Sequence, residues 1–332
     1  MANTHTYVTG SISGGRLGIR CLDYVTGTQG LSMRLTIQSA YRYNRSQENV
    51  AFALQLSRTL SLSRVLFERD PHRFGSNDPK TSTHVFSAEP VVRREVGLSE
   101  FLTRVYARSA VGIVGSVGIG CLMIPVAEAN PIACFAVGAV SGFASIFGIT
   151  NSEPVFRSRT EPKTGEFVHS SENSLGREIS FGALSLGMGI MLAPMMSIVV
   201  SIDPAIVPAS LMITSGILGG CAYVSSRCSD TVFMNWKGPL MVGLGTLIGT
   251  QLLGLGSLLI FGENSLSMML NNIDVYGGIV LFTGFGLYDS YIARATYASG
   301  KPDDLHCAAN IYLDGMNIMI RTMEIMAKLN KK

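Results

Sequence analysis

The run ANPIACFAVGAVSGFASIFGITNS, residues 129–152, contains no Asp, Glu, Lys, Arg or His. A helix of about 20 such residues crosses the hydrocarbon layer of a bilayer, because each residue adds about 1.5 Å of length. Four more runs of similar length carry no charge, at residues 109–127, 179–202, 204–226 and 238–262. The five runs predict membrane-spanning helices, and they exclude a soluble globular enzyme for this part of the chain.

The composition of the whole chain agrees with a membrane protein. Of the 332 residues 15% are charged, where soluble domains average about 25%. The chain has 26 Lys and Arg against 23 Asp and Glu, and this small positive balance argues against a nucleic-acid partner. The six cysteines form no Cys-x-x-Cys pair, so they are interpreted as small buried residues rather than a zinc or disulfide framework.

Two further segments, at about 273–293 and 305–327, are apolar but carry charges. The sixth ends at Asp289, and the seventh contains Asp314, Arg321 and Glu324. The predicted fold is therefore an all-α, polytopic membrane protein, a bundle of six to seven transmembrane helices over residues 98–328. The pattern leaves open whether the seventh segment spans the membrane or is re-entrant.

Lys and Arg alternate strictly along these segments. The segment before span one and the 2-3, 4-5 and 6-7 connections hold twelve: Arg93, Arg94, Arg104, Arg108, Arg157, Arg159, Lys163, Arg177, Arg227, Lys237, Arg294 and Lys301. The 1-2, 3-4 and 5-6 connections hold none. Positive residues accumulate on one side of a membrane, so the pattern predicts that the charged connections share a face. Lys328 and the lysines after it would lie on the other face if segment seven crosses.

The N-terminal residues 1–95 differ in composition from the rest. Up to Leu66 they contain seven arginines against two acids, Asp23 and Glu48, with many Ser and Thr. An Arg-rich, Ser-rich and acid-poor segment is typical of an organelle transit peptide, although a disordered basic tail has the same composition. We expect a transit peptide followed by a linker.

The seventh segment carries a polar stripe at spacings of 4, 3, 4, 3 and 4 residues, formed by Asn310, Asp314, Asn317, Arg321, Glu324 and Lys328. These residues share one helix face, which lies either on the membrane surface or toward a polar interior. The neighbouring span ends in Asp289, which favours the interior. Asp274, in contrast, is placed in a short connection and expected to be solvated.

Acidic residues inside spans are costly and indicate function. Asp289 and Asp314 facing each other would share a proton, since two buried carboxylates do not easily both ionise. Deprotonated, the pair would attract a hard divalent cation such as calcium. The structural alternative is that each Asp caps a helix or pairs with Arg321.

Several stretches in the C-terminal part of the sequence resemble the motifs of a known family. YGGIVLFTGFGLYD, residues 276–289, and IYLDGMNI, residues 311–318, are similar to the signature of the Bax-inhibitor-motif transmembrane family. GPLMVGLG, residues 238–245, and the preceding FMN, residues 233–235, resemble its mitochondrial, growth-hormone-inducible branch. The resemblance covers about residues 98–328.

The resemblance implies a seven-helix bundle that acts as a pH-sensitive calcium leak channel or a calcium/proton exchanger. The family's two pore aspartates correspond to Asp289 and Asp314, which would hold calcium transiently. Some members close the pair with an arginine in span two, but span two is uncharged here. Arg321, supported by Asn310 and Asn317, is therefore the candidate latch.

Two other functions remain open. Intramembrane aspartyl proteases also place two aspartates on adjacent helices, but the second needs a Gly-x-Gly-Asp sequence, and Asp314 follows Ile-Tyr-Leu. A non-transporting scaffold that influences apoptosis or inner-membrane organisation through membrane protein partners would tolerate loss of either acid. We expect no enzymatic activity and no cofactor. The expected location is the mitochondrial inner membrane, with the endoplasmic reticulum or another internal membrane as the alternative.

Overall fold

A computed structural model describes residues 97–160, 167–228, 230–233, 235–262 and 264–330. The predicted N-terminal segment 1–95 lies outside these residues. The described chain contains helices and one β-hairpin. In chain order the elements are α1 (Leu98–Leu122), α2 (Ile124–Ala129), α3 (Pro131–Asn151), β1 (Val155–Thr160), β2 (Phe167–Glu172), α4 (Leu175–Ile202), α5 (Ile206–Arg227), α6 (Asp230–Phe233), α7 (Lys237–Phe261), α8 (Ser265–Ala298) and α9 (Asp304–Asn330).

Five helices are long and apolar enough to cross a membrane, namely α1, α3, α4, α5 and α7. They correspond to the five charge-free runs, so the prediction of an all-α, polytopic membrane protein is confirmed. The predicted sixth and seventh segments form α8 and α9, of 34 and 27 residues. Both helices carry charged residues in their interior, among them Asp289, Asp314 and Arg321.

The 2-3 connection contains an antiparallel hairpin, which the sequence analysis did not predict. Val155 of β1 faces Glu172 of β2, and Thr160 faces Phe167. The intervening residues include Pro162 and Gly165, both of which favour turns. The aromatic and β-branched residues of both strands could have predicted the hairpin. The basic side chains in the same segment made it resemble a solvated connection instead.

Helix α9 lies at the centre of the bundle. From Asp304 to Glu324 nearly every residue is buried, and its apolar residues join the largest core cluster with those of α4. On one face, the Tyr312 hydroxyl forms a 2.7 Å hydrogen bond with that of Ser116 in α1. A helix that is buried on all sides belongs in the interior of a bundle, so α9 does not lie flat on its surface.

The contacts at its ends show that α9 crosses the whole bundle. At its start, Asp304 contacts Arg108 of α1 and Ser171 of β2, beside the charged connections. At its end, Asn330 donates to Asp203 after α4, where the 3-4 connection begins. Segment seven therefore runs from the charged end to the uncharged end, and Lys328 lies at the latter.

Helices α3 and α4 approach each other through glycine. A Cβ atom added to Gly187 would lie 2.9 Å from the carbonyl oxygen of Gly138, closer than real Cβ atoms come. Small residues allow such backbone contact where lipid supplies no hydrophobic force between helices. This contact fixes α4 against the outer helices, and α4 in turn packs on α9.

Candidate functional site

The charged residues of α8 and α9 form two layers where these antiparallel helices pack together. Asp289 and Asp314, here called the acid layer, are 5% and 0% exposed. Asp314 is ten residues after the start of α9, and Asp289 is nine residues before the end of α8. At 1.5 Å per residue they lie about 15 Å and 14 Å from the charged end. Both predicted residues thus lie in the half of their helix that is nearer the charged end.

Helix α5 packs against both sides of the acid layer. Leu218 is the neighbour of Gly286 in α8 and also of Gly315 in α9. One turn further along α5, the Cys221 thiol donates to the carbonyl of Thr283 and lies within electrostatic range of Asp314. A shared neighbour at Gly286 and Gly315 brings the segments that carry the two acids to one site of the bundle.

The second layer, here called the ion-pair layer, contains Arg321 of α9 and Asp274 of α8. Both side chains are almost fully buried, at 1% and 2% exposure, and Nη2 of Arg321 lies 3.2 Å from Oδ1 of Asp274. Gln251 of α7 donates to the same carboxylate oxygen at 2.9 Å. Arg321 is seven residues after Asp314, so the layers are separated by about 10 Å along α9.

Local sequence makes room for the Arg321 side chain. Gly278 of α8 lies directly against it, and a Cβ atom there would coincide with Nε. The Phe282 ring, one turn further along α8, covers the guanidinium carbon at 4.8 Å from its centroid. Asn317, one turn earlier in α9, accepts a hydrogen bond from Nη1. The glycine, the ring and the amide together hold the guanidinium in place.

One prediction is corrected by this arrangement, and another stays a prediction. Arg321 contacts Asp274 and Asn317, and closure of the aspartate pair by Arg321 stays a prediction. Asp274 was expected to be solvated in a connection, but it lies inside α8 and is 1% exposed. Asn317 supports Arg321 rather than the acids, and Asn310 is half-buried near the start of α9. Gln251, which lies in a charge-free run, was missed.

Both ends of α9 are held by further polar contacts. At the uncharged end, Lys328 and Asn271 bind Glu324 at 3.0 Å and 3.1 Å. At the charged end, the carboxylate of Asp304 accepts from Asn173 at 2.8 Å and pairs with Arg108 at 3.2 Å. These contacts tie the 2-3 connection and α8 to the ends of the central helix.

A second ion pair reinforces the charged end. Arg177 of α4, only 1% exposed, pairs with Asp303 at 2.7 Å and donates to Asn173. Sequence reasoning did not identify this cluster, because its members come from three distant segments. It clamps the first turn of α9 to α4 and so determines the depth at which Asp314 lies.

The residues could offer a cation only a partial protein ligand set. Within the described ranges, no three His, Cys, Asp or Glu side chains lie close enough together to hold a metal ion. A carboxylate pair can still bind calcium when water and carbonyl oxygens complete the 6 to 8 ligands that calcium takes. Such a site suits an ion that binds transiently rather than a permanently bound metal.

Comparison with known proteins gives a consistent result. The model of a family described as "Inhibitor of apoptosis-promoting Bax1" matches residues 98–331. A growth hormone-inducible transmembrane protein of Rattus norvegicus is 33% identical over 120 residues, 34% of this chain and 34% of that protein. Bax inhibitor 1 of Saccharomyces cerevisiae is 24% identical over 296 residues, 79% of this chain and 92% of that protein.

A probable Bax inhibitor 1 of Paralichthys olivaceus is 26% identical over 164 residues, 49% of this chain and 65% of that protein. The match to the rat protein thus covers about a third of its length, and that to the fish protein just under two thirds. No solved structure matches.

Proposed function

The chain belongs to the Bax inhibitor family of membrane proteins, and from that premise we propose that it conducts calcium under proton control, as a pH-sensitive leak channel or a calcium/proton exchanger. The observation that carries the proposal is the acid layer, two buried carboxylates on helices that pack against each other. Acids are rare in membrane interiors and mark ion and proton paths.

The chemistry follows from the charge of the pair. When protonated, Asp289 and Asp314 are neutral and can be hydrogen-bonded across α8 and α9. When deprotonated, they repel each other and attract a divalent cation, whose preferred ligands are carboxylate oxygens. Protons and calcium therefore compete for one site, which supports either a leak that responds to pH or an exchange of the two ions. In this proposal neither aspartate is catalytic, and no cofactor is needed.

The test is calcium flux into proteoliposomes that contain the purified full-length protein, measured across a range of pH. Asp289→Asn and Asp314→Asn should each change the flux and flatten its pH response, because each removes half of the charged ligand set and the shared proton. The double variant should add little, since groups that act as a unit are not additive. Glu153→Gln, the same chemical change at an exposed position, is the matched control.

Two outcomes would contradict the proposal. If both single variants keep wild-type flux and the same pH midpoint, the acids have no transport role, and a membrane scaffold becomes the better interpretation. If both variants are lost from the membrane while the control is not, the aspartates are structural.

We also propose that the protein acts in the mitochondrial inner membrane. The support is compositional, from the seven arginines against two acids in residues 1–66. N-terminal sequencing of the protein from its native membrane tests this. An intact Met1, or recovery from the endoplasmic reticulum, would contradict the location and leave the transport proposal untouched.

A further inference from the structure

Four oxygen atoms surround the guanidinium of Arg321. Nε donates to the backbone carbonyl of Asp274 at 3.2 Å, and Nη2 to its Oδ1 at 3.2 Å. Nη1 donates to the backbone carbonyl of Asn317 at 3.2 Å and to its Oδ1 at 3.1 Å. The positive group thus occupies a cage made of one carboxylate oxygen, one amide oxygen and two backbone carbonyls.

These oxygen types are the ligands that hard cations use in proteins. Calcium sites combine carboxylate, amide and backbone carbonyl oxygens with water. The cage around Arg321 is held in place from outside, since Gln251 donates to Oδ1 of Asp274 at 2.9 Å and Phe282 covers the guanidinium. All of its members come from helices, which makes the arrangement rigid. The oxygens that hold the Arg321 side chain are therefore of the types that a hard cation would use.

The cage lies on the same polar stripe as the acid layer. Asp314, Asn317 and Arg321 are spaced 3 and 4 residues apart, and Arg321 contacts Asp274 of α8. An ion that moves along the α8–α9 contact from the acid layer toward the uncharged end meets the guanidinium after about 10 Å. A fixed positive charge in a low-dielectric interior opposes a second cation.

We propose that Arg321 is a tethered cation that fills a second cation site and thereby restricts calcium passage between the acid layer and the uncharged end. Arg321 is not itself a calcium ligand. It is a specificity-determining residue, because its charge determines how many ions bind along the α8–α9 contact. Its effect on flux rests on the proposed transport function, whereas its occupation of a calcium-type site does not.

The first experiment measures calcium binding, independently of flux. Purified full-length protein with Asp289→Asn and Asp314→Asn is dialysed to equilibrium against radioactive calcium. Adding Arg321→Gln should create a site for about one calcium ion per chain, because the four oxygens lose their guanidinium. Arg321→Lys should create none, since the ammonium restores the charge. Arg227→Gln, at an exposed arginine, is the matched control.

The second experiment measures flux in proteoliposomes with the acid layer intact. Arg321→Gln should raise calcium flux roughly tenfold, because a barrier charge is removed and a carboxylate is released. Asp274→Asn should lower it, because the positive charge loses its counter-charge. The double variant Arg321→Gln with Asp274→Asn should bind no additional calcium and should show flux between that of wild type and that of Arg321→Gln.

The outcomes separate the two proposals. If the acid-layer variants keep wild-type flux, the transport function fails, yet the binding experiment still decides whether the cage is a cation site. If folded Arg321→Gln binds no additional calcium, the inference about Arg321 is wrong. If that variant does not fold, the double variant, which buries no uncompensated charge, replaces it, and flux equal to or below wild type overturns the inference.

Discussion

The two charged layers between α8 and α9 use the same helices and have similar burial, but they differ in charge. The ion-pair layer joins an arginine to an aspartate at 3.2 Å, and the two charges balance. The acid layer contains Asp289 and Asp314, two buried groups of one sign. A balanced buried pair contributes to the structure as long as it is complete, whereas two buried acids cost stability, and proteins retain such a cost mainly where function requires it.

The largest difference between the two layers is expected when one partner of the ion pair is removed. Arg321→Met leaves Asp274 buried without its counter-charge, and loss of one partner of such a pair destabilises by about 3–5 kcal/mol. The measurement is the free energy of unfolding in detergent micelles. Arg227→Met, at an exposed arginine, should change it by less than about 0.5 kcal/mol. Equal losses in the two variants would show that the ion-pair layer is not structural.

A smaller effect is expected from packing alone. Gly278→Ala places a methyl group on the Arg321 side chain, and overpacking of this kind costs about 1–3 kcal/mol. Its control lies one turn before Asp289: a Cβ at Gly286 would lie 3.5 Å from Sγ of Cys221, an ordinary contact. Gly286→Ala should be neutral, or stabilise by up to about 1 kcal/mol through helix propensity. The comparison fails if both variants unfold at the same denaturant concentration.

The same two layers show how far sequence reasoning extends. Hydropathy is a local property, so the charge-free runs located all five apolar helices, although α1 begins eleven residues before its run. The stripe on α9 was readable for the same reason, because helical periodicity is local. The burial of Asp289 and Asp314 also followed from their positions inside adjacent apolar segments.

The sequence did not show which charged or polar residues pair with each other. Asp274 and Arg321 are 47 residues apart, and Gln251 is 23 residues before Asp274. An acidic residue at the start of a predicted span is easily assigned to a solvated connection when its partner is not known. The clamp of Arg177 and Asp303 spans 126 residues and was missed for the same reason. Long-range pairing depends on how helices pack, which a single sequence does not state.

The smallest change in stability is expected for an Asp→Asn substitution in the acid layer. It gives the sharpest comparison of the two layers, because the same substitution can be made in both. Asp314→Asn keeps the shape of the side chain and removes the cost of a buried charge and its repulsion by Asp289. The free energy of unfolding should therefore rise or stay within about 1 kcal/mol of wild type. Asp274→Asn makes the same substitution beside Arg321, leaves that guanidinium without its counter-charge, and should destabilise by several times as much.

Both variants are measured at neutral pH by the same unfolding experiment. A loss above about 2 kcal/mol in Asp314→Asn would mean that its carboxylate is held by contacts that stabilise the charge, and the acid layer would then be a second structural layer. Opposite responses would separate the two layers by function, because the acid that can be neutralised without loss of stability is the acid whose charge can change during transport.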